Sequence, residues 1–144
     1  MAILLSVATV LAACAAGGKT MTPEETQHDA LMLLEQTTKT TDLAWSSPGE
    51  PVSKTCSDGV RYQYMVHAPI TSEQRELADG LSHVWRSAGL HVERSAQDFG
   101  EEYGVVYAAT AKADGKAGAA YEITNGNVLV YVESRCVAGA ADGE

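Results

Sequence analysis

With 144 residues, 45% of them hydrophobic and 20% charged, the chain has the length and composition of one globular domain. Its net charge of −9, from 19 acidic against 10 basic residues, argues against nucleic acid, whose binding rests on neutralising phosphates with Lys and Arg. The same sign argues against purely electrostatic adhesion to anionic lipid and favours solubility.

The chain opens on Met1–Leu11, apolar apart from Ser6 and Thr9, and small residues precede Cys14. A secretory signal needs an apolar run of ~7–15 residues before a small-residue cleavage site. The run is too short to cross a hydrocarbon core, which takes about 20 residues. Leu11-Ala12-Ala13-Cys14 resembles the lipobox of bacterial lipoproteins, although no Lys or Arg precedes the run. That resemblance covers only the first fourteen residues. It implies a signal peptide over 1–13, removed by a peptidase that cleaves before Cys14, and a diacylglyceryl group on the Cys14 thiol. Residues 14–21 then form a lipidated tether, small and polar after Cys14. The implied address is extracytoplasmic, on the outer face of the cell membrane, which becomes a partner through that lipid; two acyl chains anchor where one is marginal.

Three cysteines are an odd count. Lipid on Cys14 leaves Cys56 and Cys136, expected to form a disulfide in an oxidising compartment. Closing a loop of this length is worth roughly 4–5 kcal/mol in the chain-entropy model. Neither cysteine has a CxxC neighbour or clustered His, so no metal is expected.

Thr22-Pro23-Glu24-Glu25 is a helix start, with an N-cap Thr, Pro at the first helical position and acids against the dipole. Leu31, Leu34, Thr38, Thr41 and Trp45 follow at helical spacing, widened by Ala30 and Leu33, while threonines near Thr37–Thr41 weaken the last turns. Ser46–Pro51 is a loop. Val60–Ala68 alternates as a strand: Val60, Tyr62, Tyr64 and Val66 on one face, Arg61, Gln63, Met65 and His67 on the other. Pro69 ends it. Thr71-Ser72-Glu73-Gln74 has capping-box spacing, and Leu77, Leu81, Val84, Trp85 and Ala88 make a helical stripe that Gly89 terminates.

Leu90–Arg94 is a short strand, and Asp98–Glu102 a polar loop. A three-stranded meander follows over Tyr103–Lys112, Lys116–Thr124 and Asn127–Val137. Asn125-Gly126 predicts a type I′ hairpin that sets Ile123 opposite Val128, Tyr121 opposite Val130 and Ala119 opposite Val132. A three-residue loop over Ala113–Gly115, with Gly115 in a left-handed bulge, puts Val105, Tyr107 and Ala109 on the face of Ala119, Tyr121 and Ile123. Cys136 shares the alternation of Val128, Val130 and Val132, so it is expected on the helix-covered side.

The fold expected is α+β, in the order α-β-α-β-β-β-β. Two helices pack on one face of a mostly antiparallel sheet of about five strands, forming a single domain over 22–138 with a disordered acidic tail at 139–144. With Cys56 bonded to Cys136, the first and last strands should lie near one another. The folded domain also resembles, more loosely, uncharacterised small lipoproteins of actinobacteria with a late Cys beside the final strand.

No Walker loop, Gly-x-Ser-x-Gly, His-Glu-x-x-His or EF-hand spacing occurs. The Gly115–Gly118 run is a hairpin feature, lacking the helix that a phosphate loop needs. Ser82 and His83 are placed on the exposed side of the second helix, where sequence neighbours do not face each other. His28, His67 and His91 are isolated. An enzyme is therefore not expected, and no cofactor. Tyr62, Tyr64, Tyr103, Tyr107, Tyr121 and Tyr131 all fall on expected strands, as β-propensity favours. Tyr131 alone points to the open face, with Glu122, Leu129, Glu133 and Arg135; Arg61 and His67 join them if the first strand pairs alongside. That face, mixing aromatic, apolar and charged groups, is the candidate for binding an envelope protein or small ligand. The alternative is a carrier of an apolar or lipid-like ligand between helices and sheet, with Trp45, Trp85 and the core tyrosines lining its cavity.

Overall fold

Thr22 sits in extended backbone with its Oγ1 accepting the Glu25 amide at 3.2 Å, and Pro23 opens helix α1, Pro23–Lys39. The computed structural model describes residues 21–57 and 59–139; the expected signal peptide, Cys14, the expected tether up to residue 20 and residues 140–144 of the expected tail lie outside them. The end of α1 comes from its threonines. Thr37, Thr38, Thr40 and Thr41 each turn a hydroxyl onto a carbonyl three or four residues back, at 2.7–3.3 Å. Such local bonds compete with helix continuation, so Thr41 and Trp45, expected on the helical stripe, lie beyond its last residue. The buried stripe is Thr26, Ala30, Leu33, Leu34 and Thr37.

Six strands follow: β1 Val52–Cys56, β2 Gly59–Pro69, β3 His91–Asp98, β4 Val105–Lys112, β5 Gly118–Ile123 and β6 Asn127–Glu133, with helix α2, Gln74–Ser87, between β2 and β3. They form one sheet in the order β1-β2-β6-β5-β4-β3, every neighbouring pair antiparallel. The α+β class and the one-sided helices are as expected, with a sixth strand added. That strand is β1, which hairpins onto β2 but lies on the sheet's edge, largely exposed, and shows no apolar alternation. Helix α1 packs on β2 and β6, and α2 on β3, β4 and β5. Between the layers lie Leu33, Leu34, Val66, Leu77, Leu81, Trp85, Tyr121, Ile123, Val128, Val130 and Val132, all buried.

The expected capping box does not form. Glu73, not Thr71, occupies the N-cap position, without a side-chain cap bond, and Gln74, the expected box partner, sends Nε2 across to the Val105 carbonyl at 2.8 Å. The other end of α2 is as expected: Gly89 has φ +85°, its amide bonds Arg86 O, and the Leu90 amide bonds Trp85 O, a Schellman closure. Ser82, expected on the exposed side, is buried, with Oγ 3.1 Å from the Tyr121 hydroxyl. The β5–β6 pairing follows the expected register, Ile123 opposite Val128 and Tyr121 opposite Val130. Its turn is not type I′, which needs φ > 0 at both central residues; Asn125 keeps a negative φ, and the Gly126 amide closes a three-residue turn on Thr124 O at 2.8 Å. Between β4 and β5 the face is right but the register is shifted. Tyr107 opposes Ile123 and Ala109 opposes Tyr121, because the loop extends to Ala117 and buries that residue. Strand β3 runs on through Asp98, past the expected stop at Arg94, and Tyr103 lies outside β4, exposed.

Candidate binding face

Alternation fixes what stands on the uncovered side. On β2 it is Arg61, Gln63, Met65 and His67; on β6 Leu129, Tyr131 and Glu133; on β5 Gly118, Ala120 and Glu122. Opposed residues form rows: Met65, Tyr131, Ala120 and Thr110 in one, His67, Leu129, Glu122 and Ala108 in the next. Because Gly118 and Ala120 carry little or no side chain, the middle of the face is low. A cleft of about 840 Å³ opens there, bounded by Arg61, Tyr131 and Glu133 on one side and by Lys112, His91 and the β4–β5 loop on the other. A second, of about 360 Å³, lies towards β3 and includes Glu122 and Tyr131. Of the residues expected on this face, Arg61, Tyr131, Glu133 and Arg135 come together at the larger cleft, and Glu122 joins Tyr131 at the smaller. His67 and Leu129 share the face but stand outside both.

The end of the larger cleft is built by a bulge. Ser134 and Tyr62 are bonded backbone to backbone at 2.8 Å, and Val60 and Val137 exchange both amide bonds at 2.8 and 2.9 Å. Between these points β2 passes one residue, Arg61, while the segment after β6 passes two, Arg135 and Cys136. One extra residue on one strand is a β-bulge, and it reverses which face the next side chain takes. Cys136 therefore lines the open-face cleft and is exposed, in correction of its expected place on the helix-covered side. Cys56, on the open side of β1, meets it in a disulfide with Cα atoms 6.0 Å apart. Ser134 secures the bulge with its side chain, Oγ accepting the Tyr62 amide and donating to Arg135 O, both at 2.9 Å.

The charges of this cleft depart from those of the chain. Arg61, Lys112, Lys116 and Arg135 line it against Asp114 and Glu133. Arg61 is committed to Glu133, Nη1 to Oε1 at 2.6 Å. Lys116 sends Nζ to Ala88 O, at the C-terminus of α2, at 3.1 Å. Among the described residues Arg135 donates Nη1 only to the Met21 sulfur, 2.9 Å away, and comes close to Gly115. Lys112 is exposed and in no ion pair among the described residues. Sequence reasoning missed the contribution of Lys112, Asp114 and Lys116. Their alternation marks a hairpin, but only the sheet order brings that hairpin over the end of β6.

On the covered side the aromatic rings fill a core rather than line a cavity. Trp85 is fully buried, with Nε1 donated to Thr37 Oγ1 at 2.9 Å and its ring centroid 5.4 Å from that of Tyr121. Trp45, half-buried, donates Nε1 to Thr41 Oγ1 at 2.7 Å. Among the described residues no group of three or more His, Cys, Asp and Glu side chains could hold a metal ion, and no helix is long and apolar enough to cross a membrane.

A crystal structure of a DUF4853 family protein from Actinomyces odontolyticus has a similar fold, with a TM-score of 0.50 at 14% identity, covering 88% of this chain and 77% of that one. Neither a family model nor a curated protein matches the sequence. The likeness is one of fold, to an actinobacterial protein of unknown function.

Proposed function

We propose that the chain is a non-catalytic binding module of the cell envelope, anchored through lipid on Cys14 and presenting the open face of its sheet to an envelope protein or small ligand. The observation that carries the reading is the division of the sheet. One face is sealed by both helices, while the other holds a cleft that gathers Tyr131, Arg61, Glu133 and Arg135. A side chain that is aromatic, half-buried and ringed by charge is the kind of anchor that interfaces use. The carrier reading draws no such support, because the layer it needs is packed by Trp85, Tyr121 and their neighbours.

Anchoring is tested by fractionating cells that express the chain or Cys14→Ser. The first should partition with membranes and take up labelled palmitate, and the second should do neither; equal partitioning counts against the tether. For the face, a photo-crosslinker is placed at Tyr131 or, as a control, at Arg86 on the solvent side of α2. A discrete adduct from Tyr131 alone is expected. The same adducts from both positions, or none from Tyr131, would count against the open face.

A further inference from the structure

We propose that Arg135, with Lys112, forms a receptor for an oxyanion, a phosphate or carboxylate group, whose ligand lies along Tyr131 and Ala120. This rests on the open-face reading and names the chemistry of its basic end. Three observations converge. First, in a chain of net charge −9, four of the ten Lys and Arg residues line one concavity beside only two acids. Second, the Arg135 guanidinium, able to donate five N–H bonds, is given only a thioether, a weak acceptor, among the described residues. A planar fork of this kind suits carboxylate and phosphate oxygens. Third, the backbone that carries Arg135 is fixed in advance. The bulge that sets its direction is held by the Ser134 side chain, by the Val60–Val137 pair and by the Cys56–Cys136 disulfide one residue on. A site whose cation is already positioned loses less freedom on binding.

The floor fits the ligand's remainder. Gly118 and Ala120 leave room beneath Tyr131, whose ring offers a flat apolar wall, and Thr110 adds a hydroxyl opposite Ala120. Glu133 does not close the site, since its carboxylate is engaged by Arg61. Asp114, on the loop, is the one other acid to face the anion.

The test titrates the isotope-labelled full chain at low salt with inorganic phosphate and, separately, with glycerol 3-phosphate, followed by amide NMR. Saturable shifts are expected at Gly115, Gly118, Ala120 and Arg135. Tighter binding of glycerol 3-phosphate assigns the anion to a lipid headgroup, and equal binding assigns it to a free anion. Arg135→Gln should weaken either by about tenfold, the loss of a charged hydrogen-bonded partner, while keeping a native spectrum. Arg86→Gln, on the far side of α2, should bind as the parent does. Shifts scattered over the surface, or unchanged by Arg135→Gln, would mark an adventitious ion only and overturn the site. Because this experiment uses purified chain, its failure is separable from that of the crosslinking at Tyr131.

Discussion

Thr37 joins the two helices through one hydroxyl. Fully buried, it donates to Leu33 O at 2.7 Å and accepts the Trp85 indole N–H at 2.9 Å, so both of its capacities are used. Thr37→Val keeps the volume and removes the acceptor, leaving a buried N–H unpaired at a cost of about 1–3 kcal/mol. Urea denaturation should show that loss, with Thr37→Ser retaining most of the parent's stability; a Val variant as stable as the parent would mean that the bond contributes nothing. Tyr64 makes a pH-dependent contribution. Burial chiefly, then the charge of Glu50 and the neighbouring Tyr62, push its phenol above the usual value. The native state thus holds the proton while the unfolded phenol, near pH 10, gives it up. The unfolded state then binds fewer protons, so this stability is intact below about pH 10 and is lost as pH rises towards the folded value. Alkaline denaturation of Tyr64→Phe should accordingly be less steep than that of the parent, and identical profiles would exclude the effect.

Among the elements, the bulge after Ser134 is the most exacting. A Cβ built on Gly59 would lie 1.8 Å from the Val137 carbonyl oxygen, so the close approach of those strands admits only glycine. Gly59→Ala should destabilise the fold by about 2–4 kcal/mol, in the range of changes that break a buried backbone pairing. Thermal melts of parent and variant check this, and Gly49→Ala, with open space at its Cβ but φ +62°, should cost much less. The bulge also marks where sequence stops being legible. Alternation places Val60 to Ala68 correctly, Leu77, Leu81 and Trp85 of the α2 stripe are buried with Gly89 closing the helix, and Tyr121 opposite Val130 follows from a short turn. Each rests on a local period or a local backbone need. One extra residue between two pairing points leaves no such trace, so Cys136 changes sides unannounced. The same holds for β1, whose Lys54 and exposed Val52 lack an apolar face, and for Gln74, whose side chain bonds a carbonyl of β4 rather than its helix cap. Of the site, Tyr131, Arg61, Glu133 and Arg135 are legible by parity. Lys112, at the end of β4, and Lys116, in the loop that follows, are brought there by tertiary packing.

For the whole molecule, the last strand in sequence is the innermost in space. β6 ends the β3–β6 meander and lies between β5 and β2, so the sheet closes only when the β1–β2 hairpin, from far earlier in the chain, pairs along it. The amides of β6 and β5 are shielded by neighbours on both edges and by the core, whereas β1 and β3 are edge strands. Hydrogen exchange should therefore be slowest in β6 and β5, where it requires global unfolding, and fastest in β1 and β3, where local opening suffices. The disulfide tests this gradient, because Cys56 and Cys136 lie 80 residues apart. Closing such a loop restricts mainly the unfolded chain and is worth about 4–5 kcal/mol in the entropy model. A constraint on the unfolded state raises the cost of every globally exchanging amide by the same amount, however far that amide lies from the sulfurs. Reduction should thus lower protection in β5 and β6 by one common factor, including at Tyr121 and Val130, whose side chains lie in the helix-covered core, on the opposite face of the sheet from the bond. If only β1 and residues 134–137 lose protection, the disulfide acts as a local clamp on the bulge, and the unfolded-state account fails.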